Sequence, residues 1–160
     1  MREILFKAKT KLIVGTYNCG KEDGEWVIGC LYCDTGKWII RQFEFDRADY
    51  VPYEVDPETI CQYTNLKDKC GDGKRVYEGD ICEFSVFDYN GHDTQYKGVV
   101  VYSGSRFMLW NSRESEYYGD DGGFDLDWIT AQDDEFAVIG NIFDNPEPLK
   151  EDTENANTSN

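Results

Sequence analysis

Short β-rich runs alternate with turn sequences along most of this chain, and this alternation restricts the fold more than any other feature. Asp34-Thr35-Gly36 separates two runs rich in Ile, Trp and Tyr, and Asn90-Gly91 and Ser103-Gly104-Ser105 separate three more. Asn and Gly tolerate a positive φ, which tight hairpin turns require. Short strands with turns every ~8–12 residues are typical of a small barrel or sandwich. The chain is therefore predicted to be mainly β.

The predicted strands fall into two groups with a polar segment between them. The first group comprises Ile4–Ala8, Leu12–Val14, Trp26–Tyr32 and Lys37–Arg41. The second group comprises Ile81–Phe87, Tyr96–Tyr102, Phe107–Trp110, Phe124–Ile129 and Phe136–Phe143. Asp56-Pro57 predicts a short helix, because an Asp caps the first N–H groups and a Pro at the first helical position loses no hydrogen bond. The basic segment from Lys67 to Arg75 is predicted to be an exposed, solvated turn that joins the two groups.

These patterns divide the chain into three parts. Residues 1–66 form an N-terminal β-rich region with a short helical turn, and residues 67–146 form a small barrel. Residues 147–160 are predicted to be a disordered tail. The sequence from Asn145 to the end contains two prolines, no aromatic residue and mostly polar side chains, which gives it little apolar surface to bury.

The charge distribution restricts the partners. The net charge is −16, and residues 1–80 contribute −3 of it, from 12 Lys and Arg against 15 Asp and Glu. Residues 81–160 contribute −13, and nine carboxylates with no cation occur between Glu114 and Glu135. Such a surface repels phosphates, so direct binding of nucleic acid and of anionic membranes is not expected.

The N-terminus and the hydropathy predict a cytoplasmic protein. Lys7, Lys9 and Lys11 interrupt the first apolar residues, so no signal-peptide core is present in them. No run approaches the ~20 apolar residues of a membrane span. In a reducing cytoplasm the six cysteines are expected to be thiols.

Several blocks of sequence resemble the YopX-like proteins of bacteriophages and prophages. These blocks are Met1–Ala8, Trp26–Gly29, Tyr53–Ile60, Gln62–Asp68, Val76–Ile81 and Val138–Glu147. The resemblance implies a phage or prophage product in a bacterial host cell, with an N-terminal β region followed by an SH3-like β-barrel. It implies no activity, and it carries over no catalytic residue.

Three motifs have a chemical and a structural interpretation. Cys30-x-x-Cys33 is metal-like, but zinc needs two further ligands and no second close cysteine pair is present. The acidic run Asp120–Asp127 could hold a hard cation, although it lacks the EF-hand spacing. His92 follows a predicted hairpin turn, where a catalytic base would be poorly oriented. Structural thiols, a solvated acidic loop and an ordinary loop histidine are the favoured interpretations, and no cofactor or enzymatic activity is predicted.

The remaining candidate site combines aromatic residues with carboxylates. Trp and Tyr are frequent anchors of protein interfaces, and carboxylates steer basic partners. The predicted partner-binding residues are Trp110, Glu116, Tyr117, Tyr118, Asp120, Asp121, Asp125 and Trp128. The sequence therefore predicts a non-enzymatic protein-binding or assembly module that forms homo-oligomers. The alternatives are an acidic mimic of nucleic acid that occupies a DNA-binding protein, and a weak cation- or zinc-binding protein.

Overall fold

A computed structural model of the protein describes residues 2–11, 20–87, 89–110 and 123–147. The chain divides into two units, Met1–Tyr63 (unit 1) and Thr64–Asn160 (unit 2). The described strands pair antiparallel, and the protein is mainly β, as predicted. The predicted strand Leu12–Val14 and residues 148–160 of the predicted tail lie outside the described residues.

Unit 1 is built on an antiparallel sheet. Its strands are β1 (Phe6–Lys9), β2 (Trp26–Asp34), β3 (Lys37–Glu44), β4 (Asp49–Glu54) and the start of β5 (Cys61–Lys67). Strands β1 to β4 are neighbours in chain order, and β5 pairs with β1. Neighbouring strands follow the order β4-β3-β2-β1-β5. The predicted hairpin between β2 and β3 is confirmed, since Asp34 lies opposite Lys37. Thr35 and Gly36 at its turn have φ values of 50° and 81°, as a two-residue hairpin turn requires.

The sheet of unit 1 curls until the ends of β1 and β4 meet. Thr10 forms an isolated bridge with Val55, and the N–H of Lys11 donates to the carbonyl of Glu54 at 2.9 Å. Successive side chains of a strand point to opposite faces, so one face of the curled sheet carries the core. The core side chains of unit 1 are Ala8, Val27, Ile40, Val51, Tyr53 and Val55.

The predicted helical turn before β5 is confirmed as one turn of 3-10 helix, Pro57–Thr59. The Asp56 carboxylate accepts the N–H of Glu58 at 3.0 Å and caps the turn. The N–H of Lys9 donates to the Thr59 hydroxyl at 2.9 Å, which attaches this turn to β1. The sequence Asp-Pro-Glu-Thr therefore joins β4 to β5 and holds the connection against β1.

Unit 2 contains a second antiparallel sheet. The elements of unit 2 are β6 (Arg75–Tyr77), which is not part of this sheet, β7 (Asp80–Phe87), β8 (Asp93–Ser103), β9 (Arg106–Trp110), β10 (Gly123–Asp125), α1 (Leu126–Gln132) and β11 (Ala137–Asn141). Five of the strands follow the order β10-β9-β8-β7-β11. The hairpins predicted at Asn90-Gly91 and Ser103-Gly104-Ser105 are confirmed, with Phe87 opposite Asp93 and Ser103 opposite Arg106. Among the described strands this sheet is open and does not close into a barrel.

The strand predicted over Phe124–Ile129 is wrong. Only its first residues pair with β9, and the chain then forms the seven-residue helix α1. Leu126, Ile129 and Thr130 are buried at helical spacing, and a short apolar run does not by itself distinguish a strand from a helix. In the part of the chain that the structure describes, no helix is long and apolar enough to cross a membrane.

The core of unit 2 lies between the sheet and α1. Phe84 stacks on Tyr96 at a centroid distance of 5.8 Å, and Phe124 meets the Phe84 ring edge-on at 5.4 Å. The buried core comprises Val76, Cys82, Phe84, Val86, Tyr96, Val100, Leu109, Phe124, Leu126, Ile129 and Phe136. The aromatic residues that favour strands in this sequence therefore also fill the space between strand and helix.

Glu44 at the end of β3 accepts two side-chain hydrogen bonds. The Tyr53 hydroxyl donates to its carboxylate at 2.8 Å, and the Gln42 amide donates at 2.9 Å. The bond from Tyr53 is the main reason why the pKa of Glu44 lies below its ordinary value, and the charges of Lys21 and Arg47 lower it further. A lowered folded-state pKa stabilises the fold above the unfolded value, and this stabilisation is lost as the pH falls through the folded value.

We therefore predict that Tyr53→Phe lowers the free energy of unfolding at neutral pH, and that its difference from the wild type shrinks on acidification. The measurement is urea unfolding of both proteins from neutral pH down to about pH 3, below the ordinary range of glutamate. Glu44→Gln is the control, since it removes the titrating group and should remove the pH dependence of the Tyr53→Phe effect. An effect of equal size at every pH would contradict the prediction.

Candidate functional site

Two of the predicted partner-binding residues are exposed tryptophans of unit 2. Trp110 ends β9 opposite Gly123, and Trp128 lies in the first turn of α1. Their exposed fractions are 42% and 48%. Trp carries a large apolar surface, and burial of such surface against a partner is favourable. Strand β10 leads directly into α1, so one short segment connects the strand beside Trp110 with the helix that carries Trp128.

Asp125, a third predicted site residue, has a role inside unit 2. Its carboxylate accepts the N–H of Trp128 at 3.3 Å and caps α1. It also forms an ion pair with Arg106 of β9 at 3.2 Å. Asp125 is predicted from the sequence to contact a partner, and in the structure it also positions Trp128.

The other predicted site residues lie outside the described residues. They are Glu116, Tyr117, Tyr118, Asp120 and Asp121. The acidic run that could hold a cation is described from residue 123 onward. Within the described ranges, no group of three or more metal-ligating side chains is present.

An exposed aromatic cluster in unit 1 was not predicted from the sequence. Phe43 of β3 meets Phe45 edge-on at a centroid distance of 5.1 Å and Tyr50 of β4 at 5.2 Å. We call these three residues the aromatic tip, because they surround the turn between β3 and β4. The alternation Gln42-Phe43-Glu44-Phe45 was the available signal. It places polar side chains on the face that carries the core and aromatic ones on the outer face, the reverse of the usual pattern.

Among the described residues, the cysteines and His92 do not come together into a group of three or more metal-ligating side chains. Cys30 lies opposite Arg41 and Cys33 opposite Trp38, both exposed, and residues three apart on a strand point to opposite faces. None of the five described cysteines is in a disulfide. His92 is exposed beside the turn between β7 and β8.

The segment from Lys67 to Arg75 differs from the solvated turn that the sequence predicted. Its Asp68 is 4% exposed, and one carboxylate oxygen accepts the N–H groups of Lys74 at 2.7 Å and Cys70 at 3.3 Å. The other oxygen accepts the N–H of Val138 on β11 at 3.2 Å. The cationic side chains of the turn are exposed as expected, but a buried carboxylate determines the path of the backbone.

Two more buried carboxylates act in the same way. Asp133, just after α1, accepts the N–H of Ser85 on β7 at 2.8 Å and that of Glu135 at 2.9 Å. Asp80 accepts the N–H of Tyr77 at 2.7 Å across the turn into β7. Neither was singled out from the sequence, because an Asp beside a turn is usually solvated. Their bonds within the fold assign them structural roles.

A further polar cluster follows β11. The Asn141 side chain accepts the N–H groups of Phe143 and Asp144 at 2.9 Å, and the Asn145 side chain accepts the N–H of Asn141 at 3.0 Å. A Cβ at Gly140 would collide with the Asn145 amide, so any other residue there would displace the side chain that accepts the N–H of Asn141. The spacing Gly-Asn-x-x-x-Asn therefore builds a turn.

These contacts define a class of protein: an antiparallel β protein of two units in which capping side chains hold turns and strand edges. The family model described as YopX protein matches residues 19–150, and the chain belongs to the YopX family. The matched region includes every block of the predicted resemblance except Met1–Ala8. No curated protein and no solved structure matched the chain.

The capping role of Asp68 can be tested against a neighbour of the same charge. We predict that Asp68→Ala lowers the free energy of unfolding by about 2–4 kcal/mol, because the N–H groups of Cys70, Lys74 and Val138 lose their acceptor. Two of these N–H groups, those of Lys74 and Val138, lie near the start of a strand. Asp72→Ala in the same turn, where Asp72 is exposed, should change it by less than about 0.5 kcal/mol. Chemical denaturation of both variants measures the difference. Equal effects would contradict the assigned role.

Thiol reactivity tests the interpretation of the cysteines. In a Cys19→Ser background, Cys30, Cys33 and Cys70 should react with a thiol reagent in the native protein, because they are exposed. Cys61 and Cys82, which are buried, should react only after denaturation. Native mass spectrometry of the wild type gives the metal content in parallel. One zinc ion per chain that is lost on Cys30→Ser would contradict the structural interpretation.

Proposed function

We propose that this protein is a non-enzymatic protein-binding or assembly module of a bacteriophage or prophage, acting in the cytoplasm of the bacterial host without a cofactor. The observation that carries the proposal is the exposure of Trp110 on β9 and Trp128 on α1, both in unit 2. Exposed tryptophans are frequent hot spots of interfaces, because they bury a large rigid surface at a small entropic cost. In this proposal, Trp110 and Trp128 bind another protein and take part in no chemical reaction.

The partner proposed for this surface is a basic protein. Residues 81–160 carry a net charge of −13, so their field attracts cations over about a Debye length and raises the association rate. The same field opposes nucleic acid and anionic membranes. Trp110 and Trp128 would supply the apolar contact after the carboxylates have steered the encounter.

The finer description of unit 2 as an SH3-like barrel is part of the proposal. Its support is the strand order, in which four strands follow one another and the fifth returns to pair with the first. The helix α1 lies between the fourth and the fifth strand of this series. Small barrels of this kind serve many functions, so the fold by itself favours no particular partner.

The second candidate function is an acidic mimic of nucleic acid. The charge asymmetry favours it, since closely spaced carboxylates can occupy the phosphate-binding surface of a DNA-binding protein. This candidate predicts a partner whose DNA competes with the protein for the same surface. The protein-binding proposal does not require that DNA compete with the protein for its partner.

The test of the proposed function is capture of the partner with tryptophan variants. We predict that Trp110→Ala and Trp128→Ala each weaken binding of the captured partner by about 2 kcal/mol, or roughly 30-fold in Kd. The partner is first identified from a host lysate by affinity capture and mass spectrometry, then purified and titrated. Circular dichroism checks that each variant is folded.

The matched control is Tyr89→Ala, which removes an aromatic side chain that is 98% exposed in the turn between β7 and β8. It should leave the affinity unchanged. Equal affinity of all three variants and the wild type would contradict the proposed surface. Displacement of the protein from its partner by duplex DNA would favour the mimic.

A further inference from the structure

The outer face of the sheet in unit 1 is apolar and aromatic, where a sheet face toward solvent is usually polar. Val27, Ile40 and Tyr53 belong to the core, so the residues next to them on β2, β3 and β4 point outward. The outward side chains are Ile28, Cys30, Tyr32, Ile39, Arg41, Phe43, Tyr50 and Pro52. In this list only Arg41 is charged, so the face combines an apolar surface with one cation.

Three aromatic rings are partly exposed on this face. Tyr32 is 38% exposed, Phe43 38% and Tyr50 54%. Phe43 and Tyr50 belong to the aromatic tip, whereas Tyr32 lies opposite Ile39, four residues before Phe43 on β3. Because a strand rises about 3.4 Å per residue, these two positions are about 14 Å apart along β3. The face therefore offers two separate aromatic surfaces, with Arg41 between them.

Arg41 has apolar neighbours and no counter-charge on this face. It lies opposite Cys30 on β2 and Pro52 on β4. Its side chain is exposed, and within the part of the chain that the structure describes no carboxylate pairs with it. Glu54, at the end of β4, instead pairs with Lys37 at 3.1 Å. A guanidinium in this setting favours a planar or tetrahedral anion, which it can hold by two parallel hydrogen bonds.

Two further cations lie on the same face at β1. Lys7 and Lys9 point outward, because Ala8 between them is in the core. Their ammonium groups lie 5.0 and 5.4 Å from the centre of the Trp26 ring on β2. Rings and cations therefore alternate across the outer face. The expectation that nucleic acid is not bound follows from residues 81–160, which contribute −13 to the net charge, and it does not extend to this face.

Single-stranded nucleic acid matches this combination of side chains. Its unpaired bases stack on aromatic rings, and its phosphates contact cations beside the rings. Small sheets that bind single strands use an outer face of this kind. An acidic peptide would satisfy Arg41, but its carboxylates do not stack on Tyr32 or Phe43. A duplex keeps its bases stacked on one another and does not present them to the rings.

We propose that the outer face of unit 1 binds a single strand of DNA, with bases on Tyr32 and on the aromatic tip and a phosphate on Arg41. DNA suits this face better than RNA, because the surface between the rings is apolar. A ribose 2′-hydroxyl beside Ile39 and Pro52 would lose its hydrogen bonds to water without gaining others. The binding uses different residues from the tryptophans proposed for the protein partner.

Salt dependence separates a phosphate contact of Arg41 from a structural role. For a single strand, each phosphate contact contributes about −0.7 to the slope of log K against log salt concentration. Arg41→Gln removes one such contact, so its slope should be less steep than that of the wild type by about this amount. A structural role would lower the affinity by the same factor at every salt concentration.

The experiment is a fluorescence-anisotropy titration of a labelled oligodeoxyuridylate of about 12 nucleotides with the full chain, from low to moderate salt. The wild type is expected to bind the probe at low salt. Arg41→Gln and Tyr32→Leu should each raise the Kd about tenfold, which is about 1.4 kcal/mol. Leu keeps an apolar side chain at position 32 without a ring, and circular dichroism checks that each variant is folded.

The matched controls lie in unit 2. Lys69→Gln removes an exposed cation and changes the net charge as Arg41→Gln does, and Tyr89→Leu removes an exposed ring. Both should leave the Kd for the probe unchanged. Trp110→Ala should also leave it unchanged while it weakens binding of the protein partner, which separates this proposal from the proposed function.

Ultraviolet cross-linking of the wild-type complex, followed by peptide mapping, locates the strand without any variant, and the cross-links are expected within residues 26–54. The inference would be overturned by absence of binding at low salt, by variants at both positions that bind as the wild type does, or by cross-links confined to residues 64–160. Displacement of the probe by polyglutamate or duplex DNA as effectively as by unlabelled single strand would also overturn it. Equal affinity for oligouridylate, which differs from the probe only in its 2′-hydroxyls, would contradict the assignment to DNA.

Discussion

The need to pair backbone N–H groups at the margins of small sheets governs this structure. A buried N–H without an acceptor costs about as much as a lost hydrogen bond, and a sheet of few strands has a large share of such groups. Here Asp and Asn side chains supply the acceptors: Asp68 for Val138, Asp133 for Ser85 and Asn145 for Asn141. The same short side chains that form turns therefore complete the strands.

This constraint recurs in four of the six blocks of the predicted resemblance. Asp56, Asp68, Asp80 and Asn141 lie in the stretches by which the chain resembles its family, and each accepts backbone N–H groups near a turn. Residues of these stretches are thus among those that build the fold of this chain. The two exposed tryptophans proposed for binding, Trp110 and Trp128, are not among these capping residues.

Sequence reasoning predicted the strands and hairpins because their signals are local. A positive φ at Gly36 and an apolar run on each side are sufficient for a hairpin. It missed α1, because Asp125 was interpreted as a surface acid rather than a cap, and it missed Asp68, whose partner on β11 is 70 residues away. It missed the aromatic tip because the inward and outward faces of β3 are decided by tertiary packing. Of the predicted site, Trp110, Asp125 and Trp128 are in the described residues.

The bond from Val138 to Asp68 has a consequence for how the chain folds during synthesis. The hydrogen bonds that join β1 to β4 and to the Pro57–Thr59 turn lie within the first 63 residues, so unit 1 can form while the rest of the chain is still being made. Strand β7 must wait for β11, and Asp68 for Val138, until residues 137–141 have left the ribosome. Contacts of such long separation close slowly. Translation therefore sets an order in which unit 2 spends longest as an incomplete sheet and depends most on its strong negative charge to remain soluble.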